Sequence, residues 1–175
     1  MKLLHGLAMV SLALAVSAGC RRSPAPSKDT YVTERPFKMT LPGPWKREAE
    51  PGALRWVYRS DRYRAKLTVT VTPAQPPLTP DKVASALDAI VEQHRAAQTA
   101  AGGETLQLSE AMRTTSGQVL AARVDGLDER APRWSSALFL VSPTGAAVFF
   151  YEAEGKRDDT ALRRAWEAFD SIVVK

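Results

Sequence analysis

The chain of 175 residues has one cysteine, Cys20, and two histidines, His5 and His94. A single thiol closes no disulfide within the chain, so the fold has to rest on an apolar core. Zinc asks for three or four His or Cys ligands, and past residue 20 only His94 remains, which excludes a transition-metal centre. No glycine-rich phosphate loop is present, since Gly102-Gly103 follows no strand. Beyond residue 20 no apolar run approaches the ~20 residues that span a hydrocarbon core. Charge of one sign is also scarce. The 24 basic and 19 acidic residues leave a net of +5, well short of a nucleic-acid-binding composition.

What is present begins at the N-terminus. MKLLHGLAMVSLALAVSAGC carries one early cation, Lys2, then an apolar run over Leu3 to Val16, then small residues leading into Cys20. That is the layout of a secretory signal, and its apolar run is too short to span a bilayer. The approach Ser17-Ala18-Gly19-Cys20 resembles a bacterial lipobox, with Ser17 where Leu is commoner. The resemblance implies cleavage before Cys20, a diacylglycerol on its sulfur and an acyl chain such as palmitate on the new N-terminus. Several chains on one cysteine hold a protein stably at a membrane, whereas one does so marginally. The alternative is an ordinary cleaved signal, which leaves an exposed free thiol in an oxidising compartment. Arg21 and Arg22 then sit at headgroup level, and Arg21 in place of Asp resembles outer-membrane sorting. The resemblance places the protein in the bacterial cell envelope, on the outer membrane facing the periplasm. Loss of residues 1–19 removes Lys2 alone and lowers the net charge to +4.

Residues 20–35 are polar and rich in Pro and Ser, and are expected to be a flexible tether. Residues 36–175 are expected to form one domain, an ordinary size for a single core. Phe37 to Leu41 alternates as a half-buried strand, and Pro42-Gly43-Pro44 forces a turn before Trp45. Residues 53–60 and 66–72 read as a hairpin turning at Ser60 to Tyr63. After a proline-rich connector, Thr79-Pro80-Asp81 opens a helix. Its buried stripe is Val83, Leu87, Ile90, Val91 and His94, and Gly102-Gly103 stops it. Four extended stretches follow, near 105–115, 118–127, 134–141 and 146–154. Asp158-Asp159-Thr160 then begins a second helix with Leu162, Ala165, Trp166, Phe169 and Ile172 inward. The expected class is α+β: an antiparallel sheet with two main helices packed on it.

The opening F-x-M-x-LPGPW, the hairpin, the long helix, the meander and the closing W-x-x-F-D-S-I-V together resemble the Mog1/PsbP-like fold, closest in character to DcrB-type and PsbP-type envelope lipoproteins. The resemblance spans about 36–175. It implies an α/β/α sandwich with Phe37, Leu41, Trp45, Trp166 and Phe169 in the core. It also implies a binding or accessory role, usually without catalysis and without a cofactor.

The residues themselves offer little chemistry. His94 ends an apolar stripe with no nucleophile motif in the sequence, so it reads as structural. Asp125, Asp128 and Glu129 lack the alternation of a calcium loop and read as a solvated turn. One patch stands out: Arg55, Arg59, Arg62, Arg64 and Lys66 on the 53–72 hairpin, beside Trp56, Tyr58 and Tyr63. It could engage phosphates or an acidic partner. The plainer account is a solvated sheet face, since antiparallel sheets commonly leave one. The expectation is a lipid-anchored, non-catalytic assembly factor that binds another envelope protein and no nucleic acid. A small-ligand or anionic-lipid binder and, third, a hydrolase with a carboxylate site are its rivals.

Overall fold

The computed structural model describes residues 28–33, 37–48, 54–102, 106–128, 130, 132–155 and 158–174. The signal segment, Cys20 and Glu129 lie outside them. The chain runs β1 (Thr30–Thr33), β2 (Phe37–Leu41), β3 (Lys46–Glu48), β4 (Arg55–Ser60), β5 (Ala65–Pro73), α1 (Pro80–Gly102) and β6 (Leu106–Leu108). It continues β7 (Met112–Ser116), β8 (Val119–Asp128), β9 (Arg133–Ser142), β10 (Gly145–Glu154), α2 (Asp159–Asp170) and β11 (Val173–Val174). An eight-stranded sheet has the order β3-β4-β5-β10-β9-β8-β6, with β7 also paired to β8. A small sheet has the order β1-β2-β11, and all pairings are antiparallel.

Period-two alternation gives the large sheet two apolar faces. On β10, Ala147, Phe149, Tyr151 and Ala153 join one core cluster with the small sheet and α2, while Ala146, Val148 and Phe150 pack against the other under α1. Phe37 of β2 meets Trp56 and Phe149 edge-on at 5.2 and 5.3 Å. Trp45, Trp56 and Trp134 all lie in the cluster beneath α2, and Trp166 packs against it. On the opposite face Val83, Leu87 and Val91 of α1 bury against Val124, Phe139 and Val141. The layers are therefore helix, sheet, then helix with small sheet. Both expected helices start where their caps place them, with Asp158 Oδ1 accepting from the Ala161 N–H at 2.7 Å.

Three expectations need correction. The tether does not extend to residue 35, because Thr30–Thr33 pairs with β2, Thr30 opposite Leu41 and Val32 opposite Met39. Val32 is buried, and Thr30 Oγ1 accepts from the Trp45 N–H (3.0 Å) and donates to the Gly43 carbonyl (2.9 Å). Asp29 adds an acceptor for the Gly43 N–H at 3.0 Å, so the Pro42–Trp45 turn is tied down by the segment read as linker. Secondly, 105–115 is two short strands with one extra residue between them relative to β8. Ser109 fills the break, its hydroxyl accepting from the Asp125 N–H at 2.9 Å. Thirdly, a two-residue strand, β11, follows α2 and completes the small sheet.

Candidate functional site

The β4–β5 hairpin turns over Asp61–Arg64, one residue later than expected, with Arg64 at φ +48. Its register sets Arg59 opposite Lys66 and Arg55 opposite Thr70, so Arg55, Arg59 and Lys66 share the face of the sheet that carries α1. Trp56 and Tyr58 point the other way into the core, and so do not flank the cations. Tyr63 stays at the turn, its ring 5.8 Å from the Arg62 guanidinium and 4.4 Å from that of Arg164.

The basic residues are not an unopposed positive surface. Arg59 pairs with Glu48 of β3 (2.5 Å), Arg64 with Glu154 (2.5 Å) and Lys66 with Glu152 (3.4 Å). The Arg59 guanidinium, hydrogen-bonded to Glu48, holds that carboxyl below its usual range. Lys46 meets Asp61 at 3.8 Å. These partners were missed from sequence because Glu152 and Glu154 arrive on β10, far along the chain and adjacent only through the β5–β10 ladder.

The hairpin forms one wall of an open groove of about 610 Å³. Gln98 and Ala101 near the end of α1 form another wall, and Asp128, Arg133 and Trp134 of β8 and β9 a third. Charge across the groove is balanced, with Arg59, Arg64, Lys66 and Arg133 matched by Asp61, Asp128, Glu152 and Glu154. Phe150 supplies apolar surface within it. Behind Phe150, His94 packs edge-on against both Phe139 (5.1 Å) and Phe150 (5.2 Å). Burial lowers its pKa, helped by the charge of Arg95, so the ring is held neutral as a packing element.

Asp125 is not part of a solvated turn. It is buried, on the α2 side of β8, where its carboxylate accepts from the Ser136 hydroxyl (2.5 Å). Asp128 meets Arg133 at 3.3 Å. Among the described residues, no three His, Cys, Asp or Glu side chains gather to hold a metal ion. The flanks of α2 are clamped by stacked cations, Arg123 over Trp166 at 4.1 Å and Arg164 over Tyr63. Burial pushes the nearby Tyr151 hydroxyl up to about 12.

No protein-family model matches the sequence, and no curated protein matches it. Among solved structures, the cyanobacterial PsbP (CyanoP) of Synechocystis sp. PCC 6803 is similar at a TM-score of 0.61 and 14% identity, over 91% of this chain and 99% of that one. A Bacteroides thetaiotaomicron protein gives a TM-score of 0.48 at 11% identity, over 86% of this chain and 49% of that one. LpqN of Mycobacterium tuberculosis, described as involved in cell envelope biogenesis, gives 0.45 at 17% identity over 85% and 91%. The antiparallel sheet between α1 and α2, together with the likeness to CyanoP, makes this an α+β chain of PsbP-like fold.

Proposed function

We propose that the chain is a bacterial envelope lipoprotein, held through Cys20 on the outer membrane facing the periplasm, whose PsbP-like domain binds another envelope protein without catalysing a reaction. The observation that carries the reading is the charge-matched groove beside the basic hairpin. Exposed ion pairs contribute only about 0–1 kcal/mol each, so they exchange at little cost for pairs with a partner carrying both signs. A small free anion is served less well, because Glu48, Glu152 and Glu154 repel it wherever Arg59, Lys66 and Arg64 attract it. No described helix is long and apolar enough to cross a membrane.

A photo-crosslinker at Arg64 in tagged, full-length protein tests this in cells, with Cys20→Ala as control. A recurrent envelope protein, captured from the groove and lost in the control, supports the reading. Recovery of the protein alone in both sinks it. Charge reversal at Arg55 and Arg59 separates the rival: loss of phospholipid binding with partner capture intact identifies an anionic-lipid binder.

A further inference from the structure

The small sheet has an outer face that the core does not use. Phe37, Met39 and Leu41 of β2 point inward, and Lys38 and Thr40 point away from them. Register places Tyr31 opposite Thr40 and Val173 opposite Lys38, and directly opposed residues in antiparallel strands share a face. Tyr31 is 74% exposed and Val173 58%, two of the most exposed large apolar side chains among the described residues. Lys38 is the single charge in the sequences of the three strands.

We infer that this face, Tyr31, Lys38 and Val173, lies against the surface of an anionic lipid bilayer. The inference rests on lipidation at Cys20. Thr30 comes ten residues after Cys20, a separation that chain geometry caps at about 35 Å. The lipid-bearing segment thus enters the domain on β1 itself, beside Tyr31. Tethering makes the contact intramolecular, so a patch too weak to bind a membrane alone is held on it by effective concentration. Tyrosine suits headgroup depth because its ring is apolar and its hydroxyl wet. Lys38 faces anionic headgroups there, a cation additional to Arg21 and Arg22, which the lipobox resemblance puts next to the lipid. The Thr40 N–H donates to Ser171 Oγ at 2.8 Å, fixing the face to the end of α2 so that the domain docks as a rigid body. In that pose α1, on the opposite side of the large sheet, faces away from the membrane.

The experiment uses the lipidated protein purified from membranes and reconstituted into phosphatidylethanolamine vesicles with and without phosphatidylglycerol. Cys20 is the only native cysteine, so its lipidation leaves an introduced cysteine as the sole free thiol. Fluorophores go on Val173→Cys and, as a control on exposed α1, Gln93→Cys. Quenching by lipids labelled at headgroup depth should be several-fold stronger for Val173→Cys. Lys38→Gln should lower the ratio of docked to undocked protein about fivefold, the loss of one headgroup-level cation. Equal quenching of both probes in protein that floats with the vesicles overturns the bilayer contact alone. Protein that fails to float, with Cys20 unmodified, overturns the anchor and the contact together. A Val173→Cys probe that is shielded in cells but water-exposed in vesicles assigns the face to a protein instead and overturns the inference.

Discussion

Gly145 stands at the start of β10 with φ +148, and a Cβ there would lie 2.4 Å from the Thr72 carbonyl oxygen of β5. The obstacle is backbone, which cannot rotate aside. Gly145→Ala should cost about 1–3 kcal/mol from strain alone, read as a lower urea midpoint with unchanged slope. Ser136 is buried and donates to the buried Asp125 carboxylate. Ser136→Ala strands that acceptor and should cost about 1–3 kcal/mol, measured the same way. His94 gives a pH dependence whose sign follows from its lowered pKa. The unfolded chain protonates near the ordinary value of 6.5, before the folded chain does. The contribution of the neutral ring is complete above that value and lost as pH falls from it towards the folded value. The urea midpoint should therefore drop between about pH 7.5 and about pH 5.5, and His94→Leu should flatten part of that drop. Equal slopes in both proteins would refute the assignment.

The elements differ in how openly the sequence announces them. Asp158 and Thr79-Pro80-Asp81 are local cap chemistry, and both helices begin there. Asp158→Ala should cost about 1 kcal/mol in thermal unfolding, the ordinary loss of an N-cap acceptor. Strand β1 was hidden because Thr30–Thr33 follows a Pro/Ser tract and, among its described side chains, only Val32 is buried; its evidence lies in pairing with Leu41 and in hydrogen bonds with Gly43 and Trp45. Period two could have exposed Asp125, since Ala122 and Val124 bury on the α1 side and Arg123, Asp125 and Leu127 must then face α2. The candidate site was half legible. The five cations were visible, but Glu48, Glu152 and Glu154 become neighbours only through strand register. Because these pairs are exposed, Arg64→Ala or Lys66→Ala should change stability by less than about 1 kcal/mol. Loss of crosslinking from the Arg64 probe in Lys66→Ala, with the melting temperature kept, separates binding from folding.

At the scale of the whole molecule, the two core clusters share one sheet, so neither helix layer has a foundation of its own. Leu87→Ala beneath α1 should cost about 2–5 kcal/mol and Phe149→Ala beneath α2 about 3–5 kcal/mol. Both should lower a single transition, with far-ultraviolet dichroism and near-ultraviolet signals coinciding. Separate transitions would show two independently folding layers. The α+β order of the long strands and the helices was readable because local periodicity carries it, and the PsbP-like layout came from resemblance. Which half of the sheet α1 covers was not, since it depends on the β5–β10 pairing that inserts the last long strand into the middle. The placement of the tryptophans makes the protein optically one-sided. All four lie in or against the cluster beneath α2, and Trp134, stacked on Tyr151 at 5.3 Å, also lines the groove. Intrinsic emission therefore reports a partner entering the groove through one indole in four, while α1 and its exposed surface stay dark.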